Sequence, residues 1–230
     1  MSAARRRAPF RVFVTATDTG VGKTEVASAL LSLLADRGLR PAPFKPYESG
    51  CVRLEAPADA LALRAAAGSD DALERICVHR FRAPLAPGVA ARRLGRRPDL
   101  RPVLAAYRSF AGRALVAEGA GGLLVPLDPR HDVVDLIALL RLPVVLVARA
   151  GLGTLNHTGL SLELLRRRRI TVRAVVLSRT TPASDPSLAD NARLLHERHG
   201  IEVLGPVPFL RSATARRRAF RRTLRPLLDR

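Results

Sequence analysis

A chain of 230 residues in which 47% are of apolar types can bury a sizeable core in one domain, which excludes collagen-like, disordered and disulfide-stapled small proteins. The longest apolar run, residues 142–148, contains a proline and is far shorter than the roughly 20 residues that cross a bilayer, and we expect no secretory leader. The two cysteines, Cys51 and Cys77, form neither a disulfide framework nor a CxxC pair, as is typical of a reducing compartment. We therefore expect a cytoplasmic protein without a membrane partner.

The formal net charge of +19 comes from 39 basic and 20 acidic residues, and all the basic residues except Lys23 and Lys45 are arginine. A general coding bias that leaves a solvated basic surface explains this excess, and nucleic-acid binding is the alternative. Aromatic residues make up only 4% of the chain, so the stacking platforms of single-strand binders are hard to build, and we expect no nucleic-acid partner. Because a compact ammonium and a wide guanidinium are not interchangeable, positions that keep lysine are candidates for chemistry.

Short apolar runs alternate along the chain with segments whose apolar residues recur at helical spacing. The predicted strands are residues 11–16, 41–44, 114–117, 143–148, 172–177 and 203–204. The predicted helices are residues 22–36, 59–67, 103–111, 133–140, 154–167 and 188–199. Such alternation predicts a mostly parallel sheet with helices on both faces.

The ends of the chain and one internal stretch carry weaker signals. Residues 1–9 are predicted to be a disordered basic tail, and residues 10–230 a single α/β domain that closes with a basic helix or tail over residues 211–230. Residues 81–102 are rich in proline and are predicted to be a loop-rich insertion that is mobile or covers a substrate.

The strongest motif is the turn TDTGVGKT, residues 17–24, between the first strand and its helix. Thr17 stands where the general phosphate-loop pattern G-x-x-x-x-G-K-[ST] has its first glycine, but the strand–turn–helix context is intact. In such a loop backbone N–H groups hold phosphate oxygens, Lys23 reaches the β- and γ-phosphates, and Thr24 coordinates Mg²⁺. The sequence therefore predicts a phosphate-binding loop.

Two further segments follow predicted strands and should reach the same edge of the sheet. The segment KPYESG, residues 45–50, would bring Lys45 to the same anion as Lys23, the alternative being a surface lysine before a turn. Glu118 opens the glycine-rich segment 118–122, which is predicted to be a turn, and its carboxylate could hold a hydrated Mg²⁺.

The remaining polar clusters are less specific. The segment GTLNH, residues 153–157, opens a helix and is predicted either to bind a carboxylate with free N–H groups or merely to cap the helix. His196 and His199 are interpreted as surface histidines, because no cysteine or carboxylate cluster accompanies them. Since neither a Gly-x-Ser-x-Gly elbow nor an HExxH motif occurs, nucleophilic hydrolases and metalloproteases have no support.

Taken together, these segments resemble the dethiobiotin synthetase family in order and spacing over nearly the whole chain. The resemblance lies in VFVTATDTGVGKT, KPYESG, ADALAL, VAEGAGGLLVPL, LPVVLVARAGLGTLNH and GPVPFL. It implies a P-loop NTPase-like α/β fold, a homodimer, and an ATP-dependent ligase that uses Mg²⁺. Such an enzyme joins CO₂ or bicarbonate to 7,8-diaminopelargonate and closes the ureido ring through a carbamic-phosphoric anhydride, giving dethiobiotin, ADP and phosphate.

The resemblance also implies roles for individual residues. Lys45 and Lys23 would be catalytic, and the metal ligands would be Thr24, Asp59 and Glu118. The nucleotide would be bound by Gly20, Val21, Gly22, Lys23, Thr24, Glu25, Asp59, Glu118, Gly119, Ala120, Gly121, Ser178, Arg179, Pro208, Phe209 and Leu210. The substrate would be bound by Thr19 and Ser49 and, across a dimer interface, by Gly153, Thr154 and Asn156.

The chain departs from the family pattern at positions that bear on nucleotide choice. Ala16 stands where glycine is common, and Ser178-Arg179 stands where family members have an Asn-Asp pair that reads adenine, so we expect a relaxed or altered nucleotide preference. A P-loop switch ATPase of the partition or division-site type, which binds DNA or membrane, is an alternative, although its signature lysine would fall at Asp18. A cobyrinate-type amide-forming synthetase is a further alternative.

Overall fold

Six parallel strands form the central sheet of the protein, whose computed structural model describes residues 8–229. The strands stand in the order β2-β5-β1-β6-β7-β8, which confirms the predicted parallel arrangement. Their bounds are Arg11–Ala16 (β1), Ala42–Phe44 (β2), Leu115–Gly122 (β5), Val144–Arg149 (β6), Val172–Ser178 (β7) and Val203–Val207 (β8). A second sheet pairs Tyr47–Ser49 (β3) with His79–Phe81 (β4).

Helices cover both faces of the large sheet. They are Lys23–Ala35 (α1), Ala58–Ala67 (α2), Leu73–Ile76 (α3), Pro87–Arg93 (α4), Leu100–Arg108 (α5), Val133–Leu140 (α6), Thr154–Arg167 (α7), Asn191–His199 (α8) and Ala213–Leu224 (α9), with short 3₁₀ turns at Pro186–Ala189 and Arg225–Leu228. Alternate residues of β1 enter opposite cores: Phe13 packs on the side of α5, α6, α7 and α8, whereas Val12 and Val14 pack on the side of α1, α2 and α9. Burial on both faces explains why these strands are continuous apolar runs.

The glycine-rich segment after Ala117 is strand, not the predicted turn. β5 continues to Gly122 because it stays paired with β1, although the register shifts between the pair Val14–Glu118 and the pair Ala16–Gly122. A Cβ atom at position 119 would lie 3.0 Å from the Phe13 ring. Glycine therefore lets an interior strand lie tightly against the core beneath it.

The prediction of a loop-rich insertion over residues 81–102 is also wrong in part. This stretch contains the end of β4, the whole of α4 and the start of α5. Short elements of three to seven residues carry too little periodicity to be recognised among prolines. Two backbone bonds fix the stretch, from Gly50 N–H to Ala83 O (3.2 Å) and from Gly88 N–H to Pro126 O (2.9 Å).

The C-terminal basic segment is a packed helix. Ala219, Phe220 and Leu224 of α9 are buried against the core that includes α1. Arg216 and Arg221 are partly buried and pair with Glu25 and Asp36, whereas the other arginines of the helix are exposed. Most of the predicted N-terminal tail, residues 1–7, lies outside the described residues. Between residues 8 and 229, no helix combines the length and the apolar character needed to cross a bilayer.

Candidate active site

A cavity of about 560 Å³ opens where the carboxyl ends of β1, β2 and β5 meet. Its walls come from the phosphate-loop turn, from β3, from the first turn of α2 and from residues 84–87. Lys23 and Lys45 both line it, although 21 residues separate them in the chain. The cavity lies where ligands of open parallel sheets bind, outside the carboxyl ends of the strands.

The turn before α1 has the backbone that phosphate binding needs. Gly22 is the N-cap of α1 with φ of +106°, a left-handed conformation that residues with a side chain rarely adopt. A Cβ atom there would also approach Ser178 and Phe220 at 3.4 Å. Because α1 begins at Lys23, the unpaired N–H groups of its first turn face the cavity and favour an anion.

Lys45 is the centre of a buried polar cluster. Its ammonium contacts three oxygen atoms: Oε1 of Glu118 at 2.5 Å, the carbonyl of Gly119 at 3.0 Å and Oδ2 of Asp59 at 3.2 Å. The side chains of Lys45 and Glu118 are 4% and 1% exposed. Thr24 Oγ1 donates to the same Glu118 oxygen at 2.9 Å, which joins the phosphate loop to the cluster.

The two lysines have opposite electrostatic surroundings. Burial lowers the pKa of Lys45, but Glu118 and Asp59 more than offset it and leave that pKa above its usual value, so Lys45 is a permanent cation. Burial and then repulsion from Lys45 lower the pKa of Lys23 to about 8, against weaker attraction from Glu118, Asp59 and Asp18. Lys23 Nζ donates to the Asp18 carbonyl at 2.9 Å. Lys45 therefore keeps its positive charge, whereas Lys23 titrates near pH 8.

The oxygen atoms around Thr24, Asp59 and Glu118 suit a hard divalent cation. Glu118 Oε2 is buried and has no hydrogen-bond partner among the described residues, so one carboxylate oxygen is left unsatisfied. No group of three or more His, Cys, Asp and Glu side chains forms a metal site within residues 8–229. Such a sparse protein shell fits Mg²⁺, which keeps several waters and takes one or two carboxylates together with phosphate oxygens.

Most of the residues predicted to bind nucleotide or substrate gather here. Those that line the cavity are Thr19, Gly20, Gly22, Lys23, Thr24, Glu25, Lys45, Ser49, Asp59, Glu118, Ala120 and Gly121. Gly119 contributes the carbonyl that Lys45 binds, and Val21 is buried within the phosphate-loop turn. The convergence of Lys23 and Lys45 on one cavity agrees with the position that the strand order predicts for them.

The other residues predicted to bind nucleotide lie at the ends of β7 and β8, outside the cavity wall; they are Ser178-Arg179, at the adenine-reading position, and residues 208–210. Ser178 is buried next to Gly22. Arg179 donates to the carbonyls of Pro182 and Ala183 in its own loop. After β8, Pro208 is exposed while Phe209 and Leu210 are partly buried, and Leu210 O accepts from an arginine of α9.

The segment predicted to bind a carboxylate lies away from the cavity within one chain. Gly153, which has no side chain, is the N-cap of α7, and no side-chain hydrogen bond caps this helix. Thr154 is buried with its hydroxyl 3.1 Å from that of Thr158, and Asn156 is exposed. Leu152, just before them, is 82% exposed.

Several residues around the cavity are not among the predicted site residues. Tyr47 and Glu48 of β3, which belong to the KPYESG segment, and the apolar residues 84–87 form part of its wall. Arg149, at the end of β6, pairs with Asp18 of the phosphate-loop turn at 2.9 Å. Position 18, where switch ATPases would have their signature lysine, is thus an acid held by a neighbouring strand.

Comparison with known proteins gives both a fold and a family. A protein-family profile described as an AAA domain matches residues 11–217. A solved chain of the MinC:MinD cell division complex of Aquifex aeolicus matches with a TM-score of 0.57 and 12% identity, covering 96% of each chain. The signal recognition particle receptor FtsY of Elizabethkingia anophelis matches with a TM-score of 0.53 and 15% identity, covering 95% of this chain and 67% of the other. At these identities the likeness shows the fold alone, that of P-loop NTPases.

Sequence relatives are far more similar. ATP-dependent dethiobiotin synthetase BioD of Anaeromyxobacter dehalogenans strain 2CP-C is 50% identical over 90% of this chain and 94% of its own length. The protein of the same name from Bacillus thuringiensis strain Al Hakam is 37% identical over 86% of this chain and 82% of its own length. Because the similarity covers most of each protein and the motifs lie around one cavity, the chain belongs to the ATP-dependent dethiobiotin synthetase family.

Proposed function

We propose that this protein joins CO₂ or bicarbonate to 7,8-diaminopelargonate at the expense of ATP, in the presence of Mg²⁺, and closes the ureido ring of dethiobiotin. The single observation that carries the proposal is the meeting of Lys23 and Lys45 in one cavity with Asp59 and Glu118. In a chain where arginine is used almost everywhere else, two lysines at one phosphate site indicate chemistry that depends on compact cations.

The proposed reaction has three steps. One amine of the substrate binds CO₂ as a carbamate; a carbamate oxygen then attacks the γ-phosphorus of ATP and ADP leaves. Finally the second amine attacks the carbonyl carbon of the mixed anhydride, the bond to the phosphate oxygen breaks, and phosphate leaves as the ring closes. Since phosphoryl transfer gathers negative charge on the equatorial oxygens, the protein acts mainly by positioning and by fixed positive charge.

The residues of the cavity divide this work. The N–H groups at the start of α1 and the ammonium of Lys23 hold the phosphates, while Lys45 lies deeper, where it would stabilise the carbamate oxygen and the transferred group. Thr24, Asp59 and Glu118 would hold Mg²⁺, which when bound neutralises and orients the phosphate oxygens. Lys45 would then exchange part of its contact with Glu118 for contact with the substrate.

The anhydride must be kept from water, because hydrolysis would waste ATP. The segment Pro84–Pro87 supplies an apolar side to the cavity. Its backbone is tied at both ends, through Gly50 to Ala83 and through Gly88 to Pro126. These bonds support a fixed wall in place of the mobile cover that the proline content predicts.

A homodimer in the cytoplasm is part of the same proposal. The N–H groups at the start of α7, with Gly153, Thr154 and Asn156, would receive the substrate carboxylate of a second copy of the chain. Two observations support an intermolecular role: these residues do not reach the cavity of their own chain, and Leu152 and Leu160 beside them are 82% and 65% exposed. The reduced state of the buried cysteines, both of which are free, accords with a cytoplasmic location.

The test is a product assay on the purified protein. Diaminopelargonate, bicarbonate, Mg²⁺ and one nucleoside triphosphate are supplied, and dethiobiotin is measured by mass spectrometry. We expect dethiobiotin and phosphate in equal amounts. Absence of dethiobiotin together with triphosphate hydrolysis that DNA or vesicles stimulate would contradict the proposal and favour a switch ATPase.

A further inference from the structure

Glu48 is a buried carboxylate that the proposed chemistry does not use. It lies in β3, its residue is 4% exposed, and both of its carboxylate oxygens are engaged. Oε1 accepts from the backbone N–H of Asp59 at 3.0 Å, and Oε2 accepts from the backbone N–H of Ala60 at 2.9 Å. A strand residue therefore binds the first turn of α2 with two charge-assisted hydrogen bonds.

The local sequence explains why α2 takes its cap from elsewhere. The N-cap of α2 is Pro57, which has no side-chain acceptor, and the residues on either side of it are alanines. The first N–H groups of a helix have no partner within the helix, and a carboxylate is the group that their partial positive charge favours. Glu48 supplies this carboxylate from a position 11 residues before Asp59 in the chain.

The same bonds fix a residue of the candidate active site. Asp59 donates its backbone N–H to Glu48, and its side-chain Oδ2 lies 3.2 Å from the ammonium of Lys45. The side chain of Asp59 is 41% exposed, so packing holds it only loosely. Lys45 and Glu48, three residues apart, both bind Asp59. Lys45 contacts its side chain, and Glu48 accepts a hydrogen bond from its backbone N–H.

We propose that Glu48 is a positioning residue that acts through Asp59, holding the first turn of α2 so that the Asp59 carboxylate meets Lys45 and the Mg²⁺ of the nucleotide. This inference rests on the proposed function. Partners that orient a ligand of this kind are worth about 10- to 100-fold in metal affinity or activity. Loss of Glu48 should therefore weaken Mg²⁺-dependent nucleotide binding and turnover by a factor in that range.

A double-mutant cycle separates positioning from general stability. Glu48→Ala, Asp59→Asn and the double variant are made in the full chain. Calorimetry measures the affinity for ADP with and without Mg²⁺, and the product assay measures kcat. The quantity compared is the factor by which Mg²⁺ increases the affinity for ADP. In the protein that keeps Asp59, we expect Glu48→Ala to reduce this factor by about 10- to 100-fold. In the Asp59→Asn background we expect a further loss of less than about threefold, because the residue through which Glu48 acts is already impaired.

The controls keep the inference falsifiable. Glu48→Gln retains the volume and one acceptor oxygen; it should give an intermediate loss, and it replaces Glu48→Ala in the cycle if the alanine variant does not fold. Asp99→Ala removes the cap of α5 outside the cavity, where Asp99 accepts from Arg101 N–H at 2.8 Å, and should leave both measurements unchanged. Equal losses from the Glu48 variant in the two Asp59 backgrounds, or no loss at all, would overturn the positioning role. If the wild-type protein makes no dethiobiotin but the Glu48 and Asp59 variants still show the coupled loss in Mg·ADP affinity, the proposed function is contradicted and the role of Glu48 stands.

Discussion

The arrangement around Lys45 makes a sharp prediction for Lys45→Arg. The ammonium has three acceptors within 3.2 Å, in Glu118, Gly119 and Asp59, and these match its three N–H donors. A guanidinium keeps the charge but spreads its donors over a wider planar fork, so it cannot place them at one buried point. Removal of one preorganised donor from a transition state costs about 100- to 1,000-fold in kcat, equal to about 2.7–4 kcal/mol. We expect a loss of that size in Lys45→Arg.

Arginine is the informative replacement because a neutral residue would also destabilise the fold, and a loss of turnover could then not be assigned to catalysis. Removal of the Lys45 charge would leave Glu118, with its 1% exposed side chain, as an unpaired buried carboxylate, at a cost of about 3–5 kcal/mol in the free energy of unfolding. With Lys45→Arg we expect nucleotide affinity to stay within about threefold of wild type, since Lys23 and the start of α1 hold the phosphates.

The assay combines initial rates of dethiobiotin formation, calorimetric titration with Mg·ADP and thermal unfolding. Arg217→Lys, a basic exchange at an exposed position of α9, is the matched control and should change none of the three measurements. Turnover by Lys45→Arg within about threefold of wild type, with the protein folded, would refute the assignment of Lys45 to the reacting group.

Three further predictions concern Lys23, the base site and the C-terminal helix. Since the pKa of Lys23 in the free protein is lowered to about 8, phosphate affinity should fall above that pH by up to about tenfold per pH unit, as calorimetry with ADP would show. Between about pH 8 and 10.5 the unfolded chain keeps the Lys23 proton whereas the folded protein has lost it, so the free energy of unfolding should rise with pH in this range. The same rise in a Lys23→Gln variant would contradict this. Because the guanidinium of Arg179 turns toward its own loop, CTP and GTP should support turnover comparable to that with ATP; strict preference for ATP would be the opposing result. Phe220→Ala should lower the free energy of unfolding by about 3–5 kcal/mol in denaturant titrations, whereas Arg217→Ala should change it by less than about 0.5 kcal/mol.

The sequence predicts which distant residues come together wherever parallel strands alone determine their position. Once the runs beginning at Arg11, Ala42 and Leu115 are recognised as parallel strands, their carboxyl ends must share one edge. This places Lys23, Lys45 and Glu118 together without knowledge of any side-chain contact. The structure brings the three into one cavity.

Features that depend on register or on very short elements could not be predicted. Glycines at 119–122 are typical of a turn, and only the pairing of β5 with β1 and the closeness of Phe13 make them strand. The sheet of β3 and β4 has three residues in each strand, too few to show alternation. The role of Glu48 could not be predicted either, because its hydrogen-bond partners at the start of α2 lie across a loop.

The contact between α9 and α1 has a consequence for the order in which the fold forms. Arg216 of α9 pairs with Glu25 in the first turn of α1 at 2.7 Å, and Phe220 packs beside Gly22 of the phosphate-loop turn. Because Arg216 and Glu25 are 191 positions apart in the chain, this flank of the turn can form only after the intervening strands have assembled. Local unfolding of α9 should therefore loosen the turn that is proposed to hold phosphate.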